Sequence, residues 1–93
     1  MAELRSAIDA LDRTLVRMLA ERAAYIDRAA ELKTQNGLPA RIGARVEEVV
    51  ENARKSAEES GMDPDITEAI WRQLIDWSIA REEKILGLIA RAD

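Results

Sequence analysis

The chain has no cysteine and no histidine, and few glycines and prolines. Without cysteine there is no disulfide frame and no thiolate chemistry. Without histidine the commonest general base and the commonest zinc ligand are both missing. Nowhere in the sequence do about 18 uncharged apolar residues follow one another, so no segment reads as a membrane span. The opening Met-Ala-Glu-Leu-Arg lacks the apolar core of a signal peptide, and a cytoplasmic location is expected. The formal net charge of −4 argues against nucleic acid as a partner. An anionic ligand would have to be drawn by local cations. What is present is 47 % hydrophobic and 34 % charged residues over 93 positions. That profile fits one soluble, all-α domain over residues 1–93.

The longest pattern lies between Leu4 and Lys33. Leu4, Ile8, Leu11, Leu15, Met18, Tyr25 and Ala29 alternate spacings of three and four, the stripe of an amphipathic helix. The spacing predicts a first helix over residues 2 to about 35, stopped by Asn36-Gly37 and kept from resuming by Pro39. At 1.5 Å per residue it is ~50 Å long, whereas a compact chain of this size has a radius of gyration of only ~12 Å. Such a helix cannot bury its stripe within its own domain. An intertwined homodimer is the expected remedy.

Residues 34–44 are the one loop candidate and are expected to be mobile without ligand. A second helix is predicted from about 42 to 60, with a weakly apolar stripe of Ile42, Val46, Val49, Ala53 and Ala57; Gly61 stops it. It is expected to be the least stable of the three. The third has the clearest start, with Asp63 at the N-cap, Pro64 in the first turn and Asp65 complementing the helix dipole. It is predicted from 64 to about 90, with a stripe of Trp71, Leu74, Ile75, Ile85, Leu86 and Ile89.

Each stripe is interrupted by polar residues. The first carries Arg22 where an apolar residue belongs, with Lys33 beyond its end. The second carries Arg45 on the face of Ile42 and Val49, and the third carries Ser78 and Glu82 one turn apart. A cation in a buried seam is costly unless an anion meets it. Arg22 and Lys33 point within ~20° of each other and lie ~16 Å apart along the helix, so both can grip one small molecule. Arg5 lies ~25 Å from Arg22 and is rotated by ~100°, so it reaches that ligand only from an antiparallel partner chain. The bland alternative is that these arginines and lysines snorkel to solvent, and that Glu82 pairs with Arg81, Lys84 or a partner residue.

The set contains no base-activated nucleophile, no metal cluster and no glycine-rich phosphate loop. It offers cations for a dianion and hydrogen-bond donors, which suits a reaction needing orientation and electrostatic stabilisation but no covalent step or cofactor.

Leu4-Arg5, Ile8-Asp9 with Leu11-Asp12, Leu19-Ala20-Glu21-Arg22, Lys33, Arg45 and Ile75-Asp76-Trp77-Ser78 with Glu82 together resemble the all-α class of chorismate mutase. The resemblance covers about residues 4 to 86, and the spacing of the four cations is its specific part. It implies a dimer of three-helix chains whose long first helices pair, with two sites that each borrow one arginine. On that resemblance the partner's Arg5 and Arg22 hold the two carboxylates of chorismate. Lys33 binds a carboxylate and the ether oxygen, Arg45 completes the cationic wall, Ser78 lines the site and Glu82 faces the ether oxygen. The implied reaction is the Claisen rearrangement of chorismate to prephenate in aromatic amino-acid synthesis, without cofactor. A protonated Glu82 would donate to the ether oxygen where a carboxylate would repel it, so activity is expected to rise toward acidic pH.

Two positions depart from the common mutase pattern. Val46 stands where many mutases carry a Glu that contacts the substrate's ring hydroxyl, and Ile42 where an Asp is frequent. Arg45-Val46 and Trp77-Ser78-Ile79-Ala80 resemble instead the isochorismate pyruvate lyases of salicylate formation, which share the fold. Isochorismate carries its hydroxyl elsewhere on the ring. A third reading, a non-catalytic helical dimerisation module, explains the long stripe but not why Arg22, Arg45 and Glu82 interrupt three stripes.

Overall fold

A computed structural model of the chain describes residues 1–91, and the side chains of residues 1–87. Three helices follow one another: α1 (Ala2–Asn36), α2 (Gly43–Glu59) and α3 (Pro64–Arg91). The ends are set by local chemistry. At the end of α1, Gly37 adopts φ 67°, the left-handed conformation that costs glycine least, and the Leu38 N–H closes on the Lys33 carbonyl at 2.8 Å. At the start of α3, the Asp63 carboxylate accepts the Asp65 N–H at 2.8 Å, and Pro64 occupies the first helical position where no amide donor is needed. No described helix is long and apolar enough to cross a membrane.

The helix α3 lies against both α1 and α2, which do not contact each other. An element with a neighbour on each side needs a wider apolar arc than one stripe supplies. Ile79 is therefore buried beside Ile75, although it falls outside the stripe read from the sequence. On α2, Val50 turns into the same cluster, while Val46 and Val49 sit at its edge. Ala40, in the α1–α2 loop, is 6 % exposed and completes this core, anchoring the loop to α3. Ile89 lies outside the residues whose side chains are described.

Ion pairs reinforce both contacts of α3. Arg54 reaches Glu68 at 2.9 Å and Asp65 at 3.1 Å, and Arg72 reaches Glu68 at 2.8 Å and Glu47 at 3.2 Å, tying α2 to α3. Arg81 grips both oxygens of Asp27 on α1, Nη2 at 2.9 Å from Oδ2, and stacks over Trp77.

The chain extends over 56 × 26 × 15 Å with a radius of gyration of 16.3 Å, against ~12 Å for a compact domain of this length. The excess is the N-terminal part of α1. Every residue from 1 to 21 is exposed, and its stripe is bare, with Leu11 60 % and Met18 60 % exposed.

Candidate functional site

A cavity of about 380 Å³ opens where the C-terminal half of α1, the loop, α2 and α3 meet. Arg22, Tyr25 and Lys33 line it from α1, Arg45 from α2, and Ser78 and Glu82 from α3. Arg22 donates from Nη1 to Ser78 Oγ at 2.9 Å, and Ser78 in turn donates its hydroxyl proton to the Leu74 carbonyl at 2.8 Å. Ser78 is buried, and with its one proton committed to the backbone it acts toward Arg22 as an acceptor.

Lys33 Nζ donates to Glu82 Oε2 at 2.6 Å and to the Ala40 carbonyl at 2.6 Å. The lysine side chain is 19 % exposed and that of Glu82 only 5 %. Moving two charges out of water is expensive, and apolar residues in their place often stabilise a protein. This pair is therefore a better sign of function than of stability. Of the three ammonium protons of Lys33, one remains for a ligand.

Arg45 pairs with Glu48 and stays largely exposed at the rim. With Arg22 it also lines a second, adjoining groove of about 540 Å³ between α2 and α3. Burial, and next the positive field of Arg45, lower the Arg22 pKa from its ordinary value. Two guanidinium groups thus share one recess at an electrostatic cost, which an incoming anion relieves.

The opposite wall is apolar. Ile42, just before α2, lines it with Val46 and Val49 of α2, and the two valines pack against Ile75 and Ile79 of α3. Among the residues singled out in the sequence, Arg22, Lys33, Arg45, Ser78, Glu82, Ile42 and Val46 all line this one space. Arg5 does not; it lies ~25 Å up α1, in the exposed half of the helix. Glu82 pairs with Lys33 rather than with Arg81 or Lys84, since Arg81 is taken by Asp27. Two contributors were hidden in the sequence. Tyr25 reads there as one more stripe residue, although its place three residues after Arg22 gives it the same face. The Ala40 carbonyl belongs to the backbone, and no side-chain pattern announces it.

The residues 4–83 match the family model described as chorismate mutase type II. The chain belongs to that family. Among curated proteins it is 33 % identical over 85 residues to the isochorismate pyruvate lyase of Pseudomonas aeruginosa, covering 90 % of this chain and 82 % of that one. It is 30 % identical over 86 residues to the chorismate mutase of Methanocaldococcus jannaschii, covering 92 % and 87 %. It is also 32 % identical over 84 residues to the T-protein of Haemophilus influenzae, and there it spans 90 % of its own length but only 22 % of the relative's. The three-helix order, the long first helix and the cavity residues all fall within the matched segment, apart from the tail of α3.

Proposed function

We propose that this chain is a chorismate mutase that converts chorismate to prephenate. The observation that carries the reading is the convergence of Arg22, Lys33, Arg45, Ser78 and Glu82, from three helices, on one cavity. Each interrupts an apolar stripe, and together they suit a dicarboxylate. Arg22 and Arg45 take one carboxylate. Lys33 attracts the other carboxylate by its charge and donates its remaining N–H to the ether oxygen. The C–O ether bond breaks as the new C–C bond forms, and negative charge grows on the ether oxygen. Lys33 stabilises that charge, with Glu82 donating when protonated. Such stabilisation is stronger in the transition state than in bound substrate, so it accelerates the step without a covalent intermediate or a cofactor.

The protein acts as an intertwined homodimer of 93-residue domains in the cytoplasm. The bare stripe of α1 supports this, because exposed leucines and isoleucines on one face need a partner. An antiparallel partner helix brings Arg5 to the far end of the site, completing the grip on the substrate.

A second reading has its own observation. Ile42 and Val46 make the α2 wall apolar, which favours isochorismate pyruvate lyase activity. Two assays on the purified protein separate the readings: loss of chorismate to prephenate, and conversion of isochorismate to salicylate and pyruvate. A higher kcat/KM for chorismate is expected. A tenfold preference for isochorismate would replace the first reading with the second. Tight binding of a dicarboxylate transition-state mimic, lost in Arg22→Ala with folding intact, excludes a purely structural dimerisation module.

A further inference from the structure

The cavity's cations keep free N–H groups for the carboxylates of a ligand, while its other polar groups in the helices are committed. Ser78 spends its proton on the Leu74 carbonyl and its lone pair on Arg22. Glu82 accepts from Lys33, which also donates to Ala40. Arg45 pairs with Glu48. The apolar side chains of Ile42 and Val46 offer no hydrogen bond to a ligand. One neutral polar side chain on the cavity remains. Tyr25 lines the cavity, and its hydroxyl enters no hydrogen bond among the described residues of this one chain. It stands one turn from Arg22 on the same face of α1.

We infer that Tyr25 is a specificity-determining residue, whose phenol hydrogen-bonds a neutral hydroxyl on the ring of a cyclic dicarboxylate held by Arg22 and Lys33. The inference rests on the proposed function for its ligand class. Charge sets the division of labour. The ligand's two carboxylates are satisfied by cations, and a cation gains little from a neutral hydroxyl compared with a carboxylate. The ring hydroxyl loses water on entering the cavity and costs binding energy unless a partner replaces it. A phenol both donates and accepts, so it serves a ring hydroxyl in either role. Its rigid ring also covers one side of the ligand with little loss of conformational freedom. Tyr25 takes over from α1 the task that a polar residue at 42 or 46 would perform from α2.

The test uses the intact protein and Tyr25→Phe, which keeps the ring and removes the hydroxyl. Binding is measured by calorimetry for analogues of chorismate and of isochorismate whose enolpyruvyl double bond is reduced so that they cannot react, and for the same reduced skeleton with hydrogen in place of the ring hydroxyl. Tyr25→Phe is expected to weaken binding of the better hydroxylated ligand about tenfold, from one lost hydrogen bond, and to leave the deoxy ligand unchanged. Which hydroxylated ligand loses more identifies the hydroxyl position that Tyr25 reads. Equal loss on all three ligands overturns the inference, since the phenol then acts through packing, and so does no loss on any. If the wild type binds the ligands through Arg22 while Tyr25→Phe changes nothing, the inference falls and the proposed function stands. If the wild type binds none of them, both fall.

Discussion

The buried ion pair of Lys33 and Glu82 shows how one side chain can carry two meanings. Glu82 accepts a hydrogen bond from the Lys33 ammonium at 2.6 Å. Facing an ether oxygen, it helps only when it bears a proton itself. Glu82→Gln, whose amide donates where a carboxylate only accepts, is therefore expected to raise kcat/KM at pH 8. A variant no faster than the wild type at pH 8 would refute the role given to Glu82. Ser78 makes a different prediction. Its hydroxyl holds Arg22, so Ser78→Ala is expected to lower kcat/KM about tenfold in the wild type. In an Arg22→Ala background the same change should do almost nothing. Additive losses in that double-mutant cycle would mean that Ser78 touches the substrate directly.

At the scale of elements, α3 is the one that organises the rest. It packs on α1 and α2, which do not touch each other, and its ion pairs fix both contacts. The Arg81 guanidinium, hydrogen-bonded to the Asp27 carboxyl, holds Asp27 below the ordinary carboxylate pKa. Arg72 first, and Arg54 after it, do the same for Glu68. A depressed folded pKa contributes stability that is present above the unfolded value and lost as pH falls through the folded one. Both pairs thus stabilise at neutral pH and fail in acid. The melting temperature is expected to fall below about pH 5, in the range where carboxylates titrate. Glu68→Gln should lower it at pH 7 but leave it nearly unchanged at pH 3, shrinking the acid-induced drop. A drop of the same size in both proteins would remove Glu68 from this account.

At the scale of the whole molecule the single chain leaves a long apolar face bare. Its first 21 residues are exposed, and they carry the stripe and Arg5. Sedimentation is expected to give a dimer. Arg5→Ala and Arg22→Ala should each be nearly inactive alone, while mixing them after unfolding and refolding should restore activity. A mixed dimer has one site with neither change, so about a quarter of wild-type activity is expected from random pairing of chains. A mixture no more active than its components would deny that a partner chain supplies Arg5.

The sequence by itself determined three helices, their ends to within a residue or two, and the excess length of the first. Helical periodicity, Gly37 and the Asp63-Pro64 start are local signals, and local signals survive in any packing. It also pointed to Arg22, Lys33, Arg45, Ser78 and Glu82, because a polar residue in an apolar stripe stands out without coordinates. Only the tertiary structure decided how they pair. The partnership of Lys33 with Glu82 spans 49 positions, and that of Arg22 with Ser78 spans 56, distances over which no periodicity carries information. It also decided that Ile79 and Val50 are core: Ile79 because α3 has neighbours on two sides, Val50 because of the way α2 is turned against α3. The Ala40 carbonyl and the free Tyr25 hydroxyl became visible last, because each is defined by what surrounds it.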